Sequence, residues 1–184
     1  VAADRSPATP SGRAYISDDG LYRYSLTREI ADPHFGCLDE DERDATVTFV
    51  GLNPSTADAT QDDPTIRRCI RYARKWGFAR LKMVNLYAYR ATDPRELGKA
   101  EKAGIDIVGP ENDHVISLAF GGSDKIVAAW GALYDARVAQ FAEDFGGWQM
   151  WALGLTTNGD PRHPLYMRAD VLPFIYNLGA RRAA

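Results

Sequence analysis

The sequence predicts an α/β domain of three layers, α/β/α. It has a central, mostly parallel four-stranded sheet in the order 2-1-3-4 and an N-terminal β-hairpin. Three observations carry this prediction. Short apolar runs recur along the chain, and several close on a glycine. Helical periodicities lie between them, opened by proline or stopped by glycine. The resulting strand–helix–strand alternation implies parallel strands with helices on both faces.

The elements follow in order. Ala14–Ile16 and Leu21–Leu26 flank Ser17-Asp18-Asp19-Gly20 and read as the hairpin. Ala45–Val50 (ATVTFV) is the first strand of the sheet, bounded by Gly51. Asp63-Pro64 supplies an N-cap and an N1 proline for a helix. There Ile66, Cys69, Ile70 and Ala73 share one face, with Arg67, Arg71 and Arg74 on another. Leu81–Tyr89 (LKMVNLYAY) is the second strand, and Pro110 opens a helix ending near Phe120. Lys125–Trp130 (KIVAAW) is the third strand. Ala132–Phe145 is a helix stopped by Gly146-Gly147, and Trp148–Leu153 is the fourth strand. Asn158-Gly159-Asp160-Pro161 marks a turn in a long loop. Arg168–Asn177 is expected to be a final helix with Pro173 near its middle.

The chain has 184 residues, 45% hydrophobic and 26% charged, which is a globular composition with room for a real core. Residues 1–12 read as a loose tail and 13–184 as one domain. The tail has no apolar h-region of a signal peptide, and no apolar run is long enough for a membrane span. Two cysteines, Cys37 and Cys69, are too few for a disulfide framework, a four-cysteine zinc site or an iron–sulfur cluster. They suit a reducing, cytoplasmic setting. No metal and no cofactor is expected, no membrane partner, and no obligate protein partner.

Charge is segregated. Residues 39–44 form an acidic run broken only by Arg43. From Pro64 to Thr92 there are eight Lys and Arg, among them Arg67, Arg68, Arg71 and Arg90, and no Asp or Glu. This is either a basic helix face balanced by acidic neighbours or a patch for phosphate groups. Charge alone leaves both open. The net charge of −3 argues against coating nucleic acid by bulk charge.

In such sheets ligands bind beyond the carboxyl ends of the strands. Those ends deliver Gly51-Leu52-Asn53-Pro54-Ser55, then Asn85, then Trp130-Gly131, then Arg162-His163-Pro164-Leu165. Parallel strands bring these segments to one edge. Asn53 either caps its own turn or orients a water or ligand. Asn85 interrupts an apolar strand, so its amide needs a partner or a ligand. His163 lies between Pro161 and Pro164 on a stiffened loop. Arg67 and Arg68 at the positive end of a helix call for a nearby anion. The P-loop, zincin, EF-hand and G-x-S-x-G patterns are absent.

Taken together, the segments resemble the uracil-DNA glycosylase superfamily. VTFVGLNPS is similar to its water-activating motif, with Asn53 at the water-orienting position. MVNLYAYRATDP is similar to the strand whose asparagine reads the base edge, here Asn85. IVAAWG resembles the third strand, and RHPL matches the His-Pro of the leaving-group motif, here His163. Order and spacing agree over about Thr46–Leu165. The segments GLNPSTAD, DDPTIRRC, NLYAYRATDP and HPLY also resemble an uncharacterised bacterial domain-of-unknown-function family, which implies no activity. Two features depart from the glycosylases: Leu165-Tyr166 replaces the Ser-Pro after His-Pro, and Ser55 follows Pro54 where the uracil-specific branch has a tyrosine further on.

The resemblance implies an N-glycosidic bond hydrolase acting on a base in DNA or on a nucleotide. Asn53 and His163 would be catalytic. Gly51, Pro54, Ser55, Asn85 and Tyr87 would bind the base or substrate. Arg67, Arg68, Arg71 and Arg90 would hold phosphates, and Leu165 would wedge into the stack of a flipped base. Asp58, Asp62 or Asp63 is the alternative source of a carboxylate. The alternative function is a catalytically silent nucleic-acid or nucleotide-binding module with the same pocket.

Overall fold

Strand β3, Thr46–Gly51, is buried at every position, as expected of a strand with neighbours on both edges and helices on both faces. It lies at the centre of a computed structural model that describes residues 12–30, 45–132 and 135–178. Cys37, the acidic run at 39–44 and residues 1–11 of the expected tail lie outside the described residues.

Around β3 lie β1 (Gly12–Ile16), β2 (Arg23–Glu29), β4 (Arg80–Asn85), β5 (Lys125–Ala128), β6 (Met150–Ala152) and β7 (Phe174–Tyr176). The helices are α1 (Pro64–Lys75), α2 (Arg95–Lys102), α3 (Asn112–Gly121) and α4 (Asp135–Phe145). The sheet order is β1-β2-β4-β3-β5-β6-β7. Its middle, β4-β3-β5-β6, is parallel, and these are the four strands expected from the sequence, in the expected order.

The sheet is nevertheless larger and more mixed than four parallel strands. The β1–β2 hairpin is not an appendage, because β2 pairs antiparallel with β4. The other correction is at the C-terminus. No helix forms over Arg168–Asn177. A 3-10 turn at Pro164–Tyr166 is followed by β7, which pairs antiparallel with β6. Pro173 would have removed a helical N–H from the middle of that segment, whereas directly before a short edge strand it costs no ladder bond. Helix α2 has no counterpart in the sequence reading. It is short, and its start is marked by Asp93-Pro94, the same dipeptide that opens α1, with the Asp93 Oδ1 accepting from the Arg95 N–H at 2.9 Å.

The α1 helix forms as its ends dictate. Asp63 accepts a hydrogen bond from the Ile66 N–H at 2.8 Å and Pro64 takes the first turn. Ile66, Cys69, Tyr72 and Ala73 are buried against Phe49, Leu81 and Met83. Burial pushes the Cys69 thiol far up, away from the reactive thiolate. Helices α2, α3 and α4 pack on the opposite face against Val50, Val84, Leu86 and Ala128. Successive strand residues point to opposite faces, so this division gives three layers.

Candidate functional site

Three in-phase positions end the strands on the α1 side: Gly51 after Phe49, Asn85 after Met83, and Ala129 after Val127. Apolar packing stops there and a cavity of about 350 Å³ begins. Gly51, Asn53, Ser55, Asp63, Asn85, Gly131, His163, Tyr166 and Arg23 are among its lining residues. The volume is in the range of small-ligand sites.

Asn53 follows the end of β3. Its Nδ2 donates to the carbonyls of Ala91 at 2.7 Å and Pro54 at 3.1 Å. Two carbonyl partners identify that atom as the amide nitrogen and fix the side chain. The Oδ1 atom is left as the acceptor. The structural role weighed for Asn53, pinning its own turn, is therefore real, and it also orients the free oxygen.

Asn85 closes β4 opposite Gly51 in the parallel ladder. It is 2% exposed, and its Nδ2 has no hydrogen-bond partner. Leaving such a donor unsatisfied costs about 1–3 kcal/mol. A Cβ at position 51 would stand 2.7 Å from the Asn85 Oδ1. Glycine is required there by that close approach. From behind, Asn112 Nδ2 donates to the carbonyls of Asn85 at 3.0 Å and Leu86 at 3.1 Å. Arg137 Nε adds a bond to the Leu86 carbonyl at 2.9 Å.

His163 is brought to the cavity by the end of β5. Gly131 turns the chain with φ +82°, a conformation that favours glycine, and its N–H donates to the Pro161 carbonyl at 2.9 Å. The loop before His163 is folded back on itself. Arg162 N donates to the Gly154 carbonyl and Leu155 bridges Pro161. The Leu165 N–H reaches the His163 Nδ1 at 3.4 Å, a long bond that assigns the proton of the neutral ring to Nε2. Burial pushes the imidazole below its ordinary value, and Asp63 opposes that shift.

Two charged groups complete the wall. Asp63 caps α1 and is mostly buried. Arg23 is 2% exposed; its Nη1 donates to the Ala57 carbonyl at 3.0 Å, and its Nε has no partner. Burial pushes this guanidinium down to about 10, so it remains a cation at neutral pH. Asp63 resists the shift, while Arg90 and Arg28 add to it.

Of the residues singled out from sequence, Gly51, Asn53, Ser55, Asn85 and His163 share the cavity. Pro54 is buried beside it and accepts from the Ala91 N–H at 3.0 Å. Tyr87 is in the core on the α2–α4 face. Arg67, Arg68, Arg71, Arg90 and Leu165 are not in the cavity wall. Arg67 donates to the Asp62 carbonyl and Arg68 to that of Met167, so backbone oxygens meet these two cations near the start of α1. Arg90 donates to the Gly20 carbonyl at 3.2 Å and ties the hairpin turn to the loop after β4. Arg71 is exposed on α1, and Leu165 is 43% exposed.

The sequence reading passed over Arg23, Thr65, Thr92 and Tyr166, all in the wall. Arg23 had one signal, a cation inside the strand expected over Leu21–Leu26. Among the described residues no group of His, Cys, Asp and Glu is arranged to hold a metal ion, and no helix is long and apolar enough to cross a membrane.

Comparison with curated proteins and with solved structures gives no match. A family model described as "Protein of unknown function (DUF1643)" matches residues 23–165, which takes in every cavity segment from Arg23 to Pro164, and the chain belongs to that family.

Proposed function

We propose that the protein is an N-glycosidic bond hydrolase of the uracil-DNA glycosylase type, acting on a base in DNA or on a nucleotide. The observation that carries this reading is the orphaned Asn85 amide, buried in the wall of a cavity that Asn53 and His163 also line. An amide presenting both a donor and an acceptor is suited to the edge of a nucleobase. The order of the sequence motifs supports the same assignment.

In the reaction so assigned, the bond between the sugar C1′ and the base nitrogen breaks, and its electron pair leaves with the base. Charge appears on the departing base, so catalysis requires dipoles fixed there in advance. The His163 Nε2–H donates to a base carbonyl oxygen and stabilises the anion. Asn85 holds the base edge. The free Oδ1 of Asn53 accepts a hydrogen bond from the water that attacks C1′, and the water's other proton is released to solvent. A neutral amide is a weaker acceptor than a carboxylate, so turnover is slow. This scheme calls on no metal or cofactor.

The test uses oligonucleotides and mononucleotides carrying uracil, hypoxanthine or a mismatch, followed by hot alkali or chromatography of free base. Base release that disappears in His163→Ala supports the assignment. Absence of release from every substrate overturns it. One observation favours a second reading, a binding module that holds a base without cleaving it. The residue at the water position is the amide Asn53, with its nitrogen already committed to two carbonyls. Binding without release identifies that case.

A further inference from the structure

We propose that Arg23 anchors a phosphate of the ligand, and that the cavity therefore takes a free nucleotide bearing a terminal phosphate monoester. This inference rests on the reading above for the base half of the ligand. The phosphate half stands on separate observations.

Arg23 is a buried cation in a cavity wall with no carboxylate in ion-pair contact among the described residues. Among the described residues its guanidinium makes one hydrogen bond, to a backbone carbonyl, and its Nε is orphaned. Removing a guanidinium from water without a counter-charge is expensive, and a bound anion offsets that cost. Asp63 offsets that cost in part through its charge, without an ion-pair contact to Arg23 among the described residues. Arg28, wholly buried, is already paired with Asp62 at 2.8 Å. Arg90 adds a like charge from the loop after β4. Asp63 is the one carboxylate in the wall, and its Oδ1 is held by the Ile66 N–H at the positive end of α1. The hydroxyls of Ser55, Thr65 and Thr92 line the same cavity as further donors to phosphate oxygens.

The depth of Arg23 decides between a free nucleotide and a polynucleotide. A nearly wholly buried guanidinium is reached by the end of a molecule. An internal phosphodiester would need room for chain on both sides. The exposed cations Arg67 and Arg71 stand on the outer surface of α1, outside the cavity wall.

The 184-residue chain is titrated by calorimetry and thermal shift with inorganic phosphate, deoxyuridine, deoxyuridine monophosphate and a uracil-containing oligonucleotide. The monophosphate is expected to bind about tenfold or more tighter than the nucleoside. In Arg23→Met that advantage disappears while the ligand-free thermal midpoint holds or rises, because an unpaired buried cation has been removed. A purely structural arginine would give the reverse, a fall in midpoint with the phosphate preference intact. Asp63→Asn keeps a competent helix cap and removes the opposing charge, so phosphate binding tightens. Equal binding of nucleoside and nucleotide, tighter binding of the oligonucleotide than of the monophosphate, or unchanged phosphate preference in Arg23→Met overturns the proposal. Arg23-dependent phosphate binding with no base released from any substrate supports the anchor and removes the hydrolase assignment alone.

Discussion

The two faces of the central sheet use alternate residues of the same strands and end differently. Toward α2, α3 and α4 the strands present Val50, Val84, Leu86, Ala128 and Ala152, and the apolar layer continues past the strand ends through Leu52 and Trp130. Phe120, Phe141, Phe145 and Trp148 close it with edge-to-face and tilted ring contacts. Toward α1 the sequence Phe49, Met83, Val127 gives way at the next in-phase positions to Gly51, Asn85 and Ala129. Removing bulk and inserting one amide turns the end of a core into a cavity. Both faces hold an apolar core, but one stays apolar past the strand ends and the other ends in the cavity.

That division predicts separable losses. The largest is Phe120→Ala, which empties a fully buried ring site touching three other aromatics. It should cost about 3–5 kcal/mol in denaturant unfolding. Ligand affinity measured well below the melting transition should be unchanged. Next is Gly51→Ala, where the new Cβ meets the Asn85 Oδ1 at 2.7 Å. The amide must move, and base binding should fall about ten- to hundredfold. The neighbouring aromatic face is untouched, so unfolding should change far less than in Phe120→Ala. If both substitutions damaged stability and binding alike, the two faces would not be independent.

The same contrast explains what the sequence disclosed. The four parallel strands and their order were legible because apolar runs alternate with helical periods. That Asn53, Asn85 and His163 share one cavity was legible because each is a polar group at a strand end or on a proline-stiffened loop. Residues whose meaning depends on long-range pairing were not. Tyr87 was expected to bind the base or substrate, yet it is core, since its position places it on the α2–α4 face. Arg23 reads as an ordinary strand cation, and only the pairing of β2 with β4 brings it to the cavity. The segment Phe174–Tyr176 reads as helix because its partner β6 lies 22 residues away at Ala152↔Phe174 and 26 at Met150↔Tyr176.

A smaller effect tests how α1 is fixed beneath the cavity. Asp63→Ala removes the cap on Ile66 and should cost about 1 kcal/mol. Asp63→Asn, which retains a capping oxygen, should recover most of it. Chemical denaturation of the three proteins gives the comparison. An equal loss in both variants would mean that the charge of Asp63, rather than its cap, stabilises the helix.

The finest test concerns His163, where the polar face should leave a mark on stability that the aromatic face cannot. Its folded value lies below the ordinary 6.5, because burial disfavours the imidazolium more than Asp63 supports it. Between the two values the unfolded chain binds more protons than the folded one. Stability therefore rises with pH through that window and is level above it. Conversely, it is lost as pH falls from 6.5 through the depressed value. Unfolding measured over about pH 5 to 8 should show this slope, and His163→Gln should flatten it. Asp63→Asn removes the opposing attraction, so the folded value drops further and the window widens toward acid. A slope unaltered by both substitutions would assign the acid sensitivity to another group and place His163 in contact with bulk water.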